Sequence, residues 1–466
     1  MNFTIVTLGC KVNQYESQAM EQWLTELGHT EVGPGEDFDL AIINTCTVTA
    51  VADKKNRNVI RRMRKQCPEA VLAVCGCYSQ VKPEDVRALG VDVISGSGGR
   101  EAFLKLALAA VDDRQKREAL DEALRRRSFE ILPPGGLATR TRAMLKIQDG
   151  CSNFCTYCII PYARGPVRSL PLAEALAQVR ELAEAGYREI VVTGIEIASW
   201  GVDLDKTGAL RLPRLLDEIC RAAGKVRIRL GSLEPRIVDE EFCRLLRGHS
   251  NLCPHFHLSM QSGSDTVLAR MHRKYDTARY LESVRLLKAN FPGCGVTTDM
   301  IVGFPGETDA EFAESLDFIR KCGFASMHVF PYSRRPGTPA DKLPGQLGNA
   351  VKEARSAAAI AVAAEMNRSF REAMIGSVQA VLFEETASGD GETDPSTPRR
   401  SAQDDAPAGP RIACPLPPGQ ELWTGHAPSS IRVYAPGKEL HNRVLPVKIT
   451  GLYEDGVLGE IAPDEA

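Results

Sequence analysis

Three cysteines stand within eight residues of the sequence, in the stretch GCSNFCTYCIIPYARG at 150–165. Cys151, Cys155 and Cys158 have the spacing C-x3-C-x2-C, and no cysteine or histidine follows nearby to complete a set of four. A structural zinc site needs four closed ligands, and a [4Fe-4S] cluster that only carries electrons also takes four. Three thiolates therefore predict a cluster with one iron open to substrate, rather than a zinc site or an electron carrier.

A second set of cysteines lies near the N terminus, one after each of three apolar runs. FTIVTLGC, FDLAIINTC and AVLAVCGC lead to Cys10, Cys46 and Cys77, and a helical pattern follows each. Alternating strands and helices predict a Rossmann-like parallel sheet, whose strands end at one shared edge. We therefore expect the three loops to bring these thiols together. Cys75 competes with Cys77 but lies inside its apolar run, and three unrelated buried cysteines remain the alternative.

Composition limits the class of protein. The chain has 466 residues, 43% of them hydrophobic, and a formal net charge of -3, which suggests about three domains and argues against a protein that is basic throughout. The opening MNFTIVTLGC lacks the features of a signal peptide, and no run is long enough to cross a bilayer, so we expect a cytoplasmic protein without a membrane segment. There, fourteen cysteines are not a disulfide framework. Isolated cysteines are expected to be buried small side chains: Cys67, Cys220, Cys243, Cys253, Cys294 and Cys322.

A larger cycle of strands and helices begins at Ala143. Six apolar or alternating runs are separated by helical segments: AMLKIQ, EIVVTG, VRIRLGS, HFHLSMQ, VTTDMIVG and SMHVFPY. Six such units predict a partial (β/α)6 barrel of parallel strands. Because Cys151 follows the first strand, its trio should lie at the carboxyl mouth, where barrel active sites are built.

Composition also marks the domain boundaries. The charged stretch RQKREALDEALRRR at 114–127 is expected to be a solvated helix or linker that ends at PPGG. After a helix at about 348–373, short strand-like runs interrupted by a Ser-, Pro-, Asp- and Gly-rich stretch at about 386–420 predict a small all-β, OB-like barrel with a disordered insert. The predicted domains are an N-terminal α/β domain at 1–132, the central barrel at 137–370 and the terminal β-barrel at 374–466.

The cysteine motif after the first barrel strand resembles that of the radical S-adenosylmethionine (SAM) enzymes. The resemblance implies that a [4Fe-4S] cluster on Cys151, Cys155 and Cys158 binds the amino and carboxylate groups of SAM through its open iron. Reduction of that cluster would then split SAM into a 5'-deoxyadenosyl radical. The loops TGIEIASWG, GSLEP and SMQSGS follow later barrel strands and are expected to contact SAM or substrate. The candidate residues there are Gly194, Glu196, Ser232, Glu234 and Gln261.

The order of domains is similar to that of the radical SAM methylthiotransferase family over nearly the full chain. This resemblance implies an auxiliary [4Fe-4S] cluster on Cys10, Cys46 and Cys77, a second SAM as methyl donor and a terminal TRAM domain that holds the substrate. TLGCKVNQYES, NTCTVTAVADKKNR and CTYCIIPYARGPVRS look most like the branch that adds a methylthio group at C2 of N6-threonylcarbamoyladenosine beside the tRNA anticodon. The expected partners are a tRNA anticodon stem-loop and a reductant such as flavodoxin or ferredoxin, with the enzyme a monomer. No catalytic side chain is assigned.

Basic segments give modest independent support for RNA binding. KKNRNVIRRMRK at 54–65 has seven Lys or Arg and no acid, and such a face is expected to contact phosphates, although a solvated helix face has the same composition. Two barrel loops add Arg270, Arg273, Lys274, Arg334 and Arg335. The alternatives left open are a methylthiotransferase of isopentenyladenosine tRNA or of a ribosomal-protein aspartate, and a non-catalytic, metal-containing RNA-binding protein.

Overall fold

The computed structural model describes residues 1–33, 35–134, 141–387 and 419–463. Its strands form an N-terminal parallel sheet, two central sheets that together make a partial barrel, and a small closed barrel. This confirms the predicted α/β fold class with its three kinds of sheet. Residues 135–137 of the predicted boundary and most of the predicted insert at 386–420 lie outside the described residues.

The N-terminal domain is a parallel sheet covered by helices on both faces. Its strands are β1 (Asn2–Thr7), β2 (Thr30–Glu31), β3 (Leu40–Thr45), β4 (Val71–Gly76), β5 (Val93–Ser95) and β6 (Arg117–Ala119), and its helices are α1 (Lys11–Glu26), α2 (Ala50–Gln66), α3 (Cys77–Val81), α4 (Pro83–Arg87) and α5 (Arg100–Asp113). The strand order is β2-β1-β3-β4-β5-β6. Every residue of β3 and β4 is buried, because α1 and α5 pack on one face and α2 on the other.

The charged segment 114–127 is not a helix. Helix α5 ends at Asp113, Arg114 has a left-handed backbone with φ 58°, and the chain returns as β6 beside β5. Only a short 3-10 turn at Ala123–Arg125 follows. The expectation of a helix was wrong because the charge pattern gives no sign that the backbone from Arg117 to Ala119 pairs with β5 at the edge of the sheet. A short, charged edge strand also discourages edge-to-edge association.

The central barrel has six parallel strand positions that match the six predicted runs, and it contains eight strand segments in all. The strands are β7 (Arg142–Asp149), β8 (Arg168–Ser169), β9 (Glu189–Gly194), β10 (Arg227–Leu230), β11 (Ser232–Leu233), β12 (His255–Gln261), β13 (Gly295–Val302) and β14 (Ser326–Pro331). The helices are α6 (Ile160–Arg164), α7 (Leu172–Glu184), α8 (Leu212–Ala222), α9 (Glu240–Leu246), α10 (Asp265–Arg270), α11 (Thr277–Asn290), α12 (Asp309–Cys322) and α13 (Asn349–Glu372). The third run is split into β10 and β11, and β8 is a short antiparallel addition to β7. Among the described helices, none is long and apolar enough to cross a membrane.

Side chains on the barrel strands alternate between an apolar outer face and a polar inner face. On β7, Ala143 and Leu145 pack under the helices, and Phe256 and Leu258 of β12 do the same. The residues between them point the other way; on these two strands they include Arg142, Lys146, His255 and His257. Glu16 of α1 contacts Lys146 at 2.9 Å. Helix α1 therefore lies against the inner side of the barrel wall.

The terminal barrel closes on itself in the order β15-β16-β17-β19-β18. Its strands are β15 (Val378–Thr386), β16 (Glu421–His426), β17 (Arg432–Gly437), β18 (Val444–Tyr453) and β19 (Gly456–Ile461). The predicted insert joins β15 to β16, which pair antiparallel, so it leaves and re-enters at one end of the barrel. This domain packs on the amino-terminal end of the central strands, where Arg142 pairs with Glu384 at 2.6 Å and Arg227 donates to the Ala380 carbonyl at 2.9 Å.

Candidate cluster-binding active site

The N-terminal cysteines lie at the carboxyl ends of three neighbouring parallel strands. Cys10 caps α1 after β1, Cys46 follows β3, and Cys77 begins α3 after β4. Asn13 joins two of these loops, because its side chain donates to the carbonyls of Leu8 at 2.7 Å and Thr45 at 3.0 Å. The predicted topology therefore brings the three cysteine loops together.

Two glycines allow these loops to approach one another. Gly9 has φ +113°, and a Cβ there would lie 2.8 Å from the sulfur of Cys46. Gly76 has φ +108°, and its Cβ would lie 2.3 Å from the Thr45 carbonyl oxygen. L side chains rarely adopt such backbone angles, and a Cβ at either position would also collide with the neighbouring loop. Glycine is therefore required directly before Cys10 and directly before Cys77.

The buried thiols of this trio fit ligation of a positively charged group. Burial raises the pKa of Cys46 to about 12, and the neighbouring Cys10 and Cys77 raise it further. Burial likewise raises the pKa of Cys77. Thiols bind iron as thiolates, so these side chains need a strong local positive charge, which the irons of a cluster would supply.

The other cysteines of the described chain pack as small apolar groups. Cys75 is fully buried in β4 and contacts the core formed by α1 and α5, so it faces away from the trio. The isolated cysteines are also buried, as predicted: Cys67, Cys220, Cys243, Cys253, Cys294 and Cys322. Cys77 is thus the cysteine of the third loop that remains free to face Cys10 and Cys46.

The second trio lies in the loop after β7, at the carboxyl mouth of the barrel. Burial raises the pKa of Cys151 and of Cys158 to about 12, and Cys155 adds to both shifts, so the three thiols share one space. Thr156 anchors the loop, because its amide donates to the Met271 carbonyl at 3.1 Å and its hydroxyl to the Arg270 carbonyl at 2.9 Å. The loop is therefore held from the opposite side of the barrel.

No group of three His, Cys, Asp or Glu side chains within the described ranges is placed to hold a single metal ion. The cysteines of a [4Fe-4S] cluster each bind a different iron atom and need not converge on one point. The number and loop positions of the thiols in each trio fit such a cluster, although Cys10 is exposed and Cys151 and Cys158 are partly buried.

The two trios face each other across the boundary between the N-terminal sheet and the barrel. Cys77 is close enough to Cys158 to raise the pKa of that thiol further. Arg164, the last residue of α6, lies between the two loops and is fully buried. Its Nε donates to the sulfur of Cys77 at 3.3 Å, and its Nη2 donates to Asn13 Oδ1 at 2.7 Å. A barrel residue therefore contacts a cysteine of the N-terminal domain directly.

A buried ionic network extends from this contact. Glu16 accepts from Arg164 at 2.7 Å, from Arg100 at 2.8 Å and from Lys146 at 2.9 Å. Burial alone would raise the pKa of Glu16, but the three cations hold it well below its usual range. The network was not predicted, although one signal was available: Arg164 is a single charge in the otherwise apolar segment IIPYARG.

The candidate SAM-contact residues lie at the same mouth of the barrel. Gly194 ends β9, Ser232 begins β11, and Gln261 ends β12 with a left-handed φ of 68°. Glu196 and Glu234 come together, since the carboxylate of Glu234 raises the pKa of Glu196. Among the described residues, no side-chain hydrogen bond links Ser232 or Gln261 to the Cys151 loop.

Glu196 is the candidate with the most unusual environment. Burial is the largest cause that raises its pKa, to about 7. Its backbone amide donates to Gln148 at 2.8 Å and one carboxylate oxygen accepts from Ser199, but Oε1 is buried and has no partner among the described residues. A buried, unpaired oxygen beside the Cys151 loop fits contact with a cationic or hydrogen-bonding ligand.

Most of the basic side chains predicted on the two barrel loops have partners within the protein. Arg273 is partly buried and donates to the sulfur of Cys155 at 3.2 Å. Arg335 is only 2% exposed and pairs with Asp53 at 3.0 Å. Arg270 pairs with Glu311 at 2.9 Å, and Arg334 pairs with Asp341 at 2.6 Å. Lys274 and Arg334 remain exposed in these loops. Arg270, Arg273 and Arg335 are less accessible and already interact with a carboxylate or a thiol.

Helix α2, in contrast, presents an exposed basic face. Five of its Lys and Arg side chains are exposed: Lys54, Lys55, Arg61, Arg62 and Lys65. Two others are used within the domain, since Arg57 donates to the Tyr78 hydroxyl and Arg64 pairs with Asp92. The exposed face starts next to the Cys46 loop.

Comparison with known proteins identifies two families along the chain. Residues 145–319 match the family described as Radical SAM superfamily, and residues 2–96 match the Uncharacterized protein family UPF0004. A threonylcarbamoyladenosine tRNA methylthiotransferase MtaB of Bacillus subtilis (strain 168) is 41% identical over 81% of this chain and 84% of its own length. A tRNA-2-methylthio-N(6)-dimethylallyladenosine synthase of Maricaulis maris (strain MCS10) is 35% identical over 82% of this chain and 86% of its own length.

The fold also resembles a solved structure. The radical S-adenosylmethionine methyltransferase TsrM from Kitasatospora setae, with tryptophan substrate and a SAM analogue bound, has a TM-score of 0.54 and 16% identity. The match covers 84% of this chain and 79% of that chain, and it supports the fold alone. The matched family and the similar relatives decide against a non-catalytic RNA-binding protein. The chain belongs to the radical SAM tRNA methylthiotransferase family, whose members use S-adenosylmethionine and [4Fe-4S] clusters.

Proposed function

We propose that the enzyme replaces the C2 hydrogen of N6-threonylcarbamoyladenosine, next to the tRNA anticodon, with a methylthio group. The observation that carries the proposal is the pair of cysteine trios that face each other across the domain boundary, with Cys77 near Cys158. Two facing sites suit a reaction that must both activate an aromatic carbon and deliver sulfur to it. The choice of nucleoside is supported by the 41% identity to the Bacillus subtilis enzyme.

The proposal assigns a [4Fe-4S] cluster to each trio. Cys151, Cys155 and Cys158 would hold the cluster that binds SAM, and Cys10, Cys46 and Cys77 the auxiliary cluster. When bound, the reduced first cluster and SAM supply a radical that can take hydrogen from a carbon that acid-base chemistry cannot activate.

Side chains of this chain hold and orient the groups around that chemistry. Arg273 and Arg164 donate to the sulfurs of Cys155 and Cys77, and such hydrogen bonds tune the potential of iron-sulfur clusters. Glu196, Glu234, Gly194, Ser232 and Gln261 form the expected SAM and substrate rim. The partner-free Oε1 of Glu196 is available to the amino group or a hydroxyl of SAM.

The basic face of α2 is the proposed contact for the tRNA backbone. It begins beside the Cys46 loop, so phosphates on either side of the modified base can reach Arg61 and Arg62 while the base enters between the trios. Such contacts position RNA without reading its sequence.

The remaining parts of the proposal concern organisation and partners. We infer domains at 1–132, 137–370 and 374–466, a cytoplasmic monomer, and a small electron donor such as flavodoxin or ferredoxin. The terminal barrel would hold the tRNA as a TRAM domain.

Nucleoside analysis tests the reaction. Digested tRNA from cells with and without the gene is compared by mass spectrometry, and the methylthio form of N6-threonylcarbamoyladenosine is expected to disappear when the gene is deleted. Loss of the methylthio form of isopentenyladenosine instead would assign the chain to the branch of the Maricaulis maris relative. Unchanged methylthio content in both nucleosides would end the tRNA proposal.

Iron and sulfide counting tests the cluster assignment. Changing Cys151, Cys155 and Cys158 to alanine is expected to remove about half of the iron of anaerobically purified protein, because one of two four-iron clusters is lost. The complementary change of Cys10, Cys46 and Cys77 should remove the other half. Alanine at the buried cysteines Cys220, Cys243 and Cys294 serves as the matched control and should keep all of it. If either triple variant loses all of its iron, the assignment of two independent clusters is contradicted.

A further inference from the structure

Lys11 is an unpaired cation beside the N-terminal trio. It is the first residue of α1 and follows Cys10 directly. No described residue accepts a hydrogen bond from its ammonium group or forms an ion pair with it. The side chain is accessible to water, yet it is surrounded closely enough by protein that burial lowers its pKa to about 8. A side chain that is both enclosed and wet lies in a deep, open cleft.

Helix α1 lies against the inner side of the barrel wall, where Glu16 contacts Lys146 at 2.9 Å, so the cleft beside Lys11 at the start of this helix belongs to the interior of the barrel. The charges that act on Lys11 belong to Arg142 of β7, Glu189 of β9 and Arg229 of β10. Lys11 in turn acts on His255 of β12. Arg142 and His255 lie on the inner faces of their strands, since their neighbours Ala143 and Phe256 pack in the outer core. The lysine therefore reaches from the cluster edge of the N-terminal domain into the barrel.

Glu189, the carboxylate that acts on Lys11, and its neighbour Glu384 already have cationic partners. Glu189 accepts from Arg227 and Arg229, each at 2.6 Å. Glu384 pairs with Arg142 at 2.6 Å. Lys11 is left as an excess positive charge in a partly enclosed cleft, where a charge without a counter-ion is less favourable than in open water. The cleft is thus suited to an anionic group that arrives with a ligand.

The geometry points to Lys11 as the residue that binds the carboxylate of the threonylcarbamoyl group on the substrate adenosine. This inference rests on the proposed function, which places C2 of the base between the two trios. The adenine ring is neutral, whereas its N6 substituent ends in a carboxylate that can extend past Cys10 into the cleft. An apolar isopentenyl group would leave the lysine without its counter-ion, so Lys11 would select the nucleoside as well as hold it.

RNA binding by the cluster-loaded protein tests this role without relying on turnover. Fluorescence anisotropy would compare an anticodon stem-loop that carries N6-threonylcarbamoyladenosine with the same RNA in which the carboxylate is a methyl ester. The wild-type protein should prefer the free carboxylate by about tenfold or more, the range of a hydrogen bond to a charged group. Lys11→Met should remove the preference, and Lys11→Arg should keep most of it. Lys105→Met is the matched control, because Lys105 is 74% exposed on α5, and should leave the preference unchanged.

Several outcomes would overturn the assignment. Equal weakening of both RNAs in Lys11→Met would indicate a phosphate contact, and lost SAM affinity in equilibrium dialysis with an unchanged RNA preference would assign the lysine to the SAM carboxylate. If Lys11→Met fails to retain iron, the ester comparison in wild-type protein and in Lys11→Arg decides, and no preference for the free carboxylate refutes the role. A wild-type enzyme that forms the methylthio nucleoside in cells but binds both RNAs equally refutes this inference alone. Failure to form that nucleoside refutes the proposed function.

Discussion

Replacing Arg335 by methionine is expected to loosen the loop that carries Cys46. Arg335 follows β14 of the barrel, and its guanidinium donates to both oxygens of Asp53, at 3.0 and 3.2 Å, and to the hydroxyl of Thr47. Asp53 lies in the first turn of α2 and Thr47 directly after Cys46. The arginine thus ties the Cys46 loop to the barrel from 282 residues away in the sequence.

The contacts that remain set the magnitude of this effect. Breaking a buried ion pair costs about 3–5 kcal/mol. Asp53 keeps Lys82 at 3.1 Å and the Thr47 hydroxyl at 2.8 Å, so we expect a loss near the lower limit, about 3 kcal/mol. Because 1.4 kcal/mol corresponds to a factor of ten, local opening of the loop should increase about a hundredfold.

Hydrogen exchange measures this opening directly. Peptides that cover 45–53 would be followed by mass spectrometry in iron-free protein, so that a bond between Cys46 and a cluster cannot mask the change. Arg334→Met is the matched control, since Arg334 is 61% exposed and pairs with Asp341, and exposed pairs contribute little. Equal exchange of 45–53 in the two variants would refute the view that Arg335 holds the Cys46 loop.

Three further predictions concern the loops, the terminal barrel and the RNA surface. Gly9→Ala should lower iron retention by the N-terminal trio, because its Cβ would lie 2.8 Å from the sulfur of Cys46. Gly28→Ala is the control: it has φ +83° but no atom within 4 Å of the new Cβ, so it should lose stability but keep its iron. Iron counting of both variants checks this prediction. Burial would raise the pKa of Glu384, but His426 and Arg142 hold it at about 2, so its stabilising effect is present at neutral pH and is lost as the pH falls from about 4.5 towards 2. Glu384→Gln should lose that stability already at neutral pH and show a weaker acid dependence in urea unfolding; an unchanged acid dependence would contradict the assignment. Changing Arg61 and Arg62 to glutamine should weaken binding of any tRNA and reduce the salt slope of the binding constant by about two, while Lys105→Gln with Lys225→Gln should leave that slope unchanged.

The architecture was predictable because it depends on periodic patterns. Strands that alternate with helices must form a parallel sheet, so Cys10, Cys46 and Cys77 could be placed on one edge before any contact was known. The six barrel runs followed from the same reasoning, and the trio of Cys151 fell at the barrel mouth. The prediction of a helix at 114–127 was wrong because the charged residues indicate that the segment is exposed to solvent but not how its backbone pairs.

The side-chain chemistry between the domains was not predictable in this way. Arg273 and Arg335 were expected among the basic residues that support RNA binding, but each of them, like Arg164, is directed inward by partners far away in the chain. The surroundings of Lys11 likewise come from three barrel strands that are distant in the sequence, because the charges that act on it belong to Arg142, Glu189 and Arg229. Whether an arginine contacts a phosphate, a carboxylate or a thiol depends on how the two domains are placed relative to each other. Local sequence patterns do not contain that information.

The position of Arg164 has a consequence for exchanging parts between relatives. Glu16 and Asn13 belong to the N-terminal domain, but Arg164, which donates to the carboxylate of Glu16 and to the side-chain oxygen of Asn13, belongs to the barrel. A chimera whose barrel lacks Arg164 would keep the ion pair between Glu16 and Arg100. It would still remove one buried cation from that carboxylate and the donor to Asn13 Oδ1, unless the three positions are inherited as a set. Recombination within this gene should therefore succeed between parents that share this triplet and fail between those that do not.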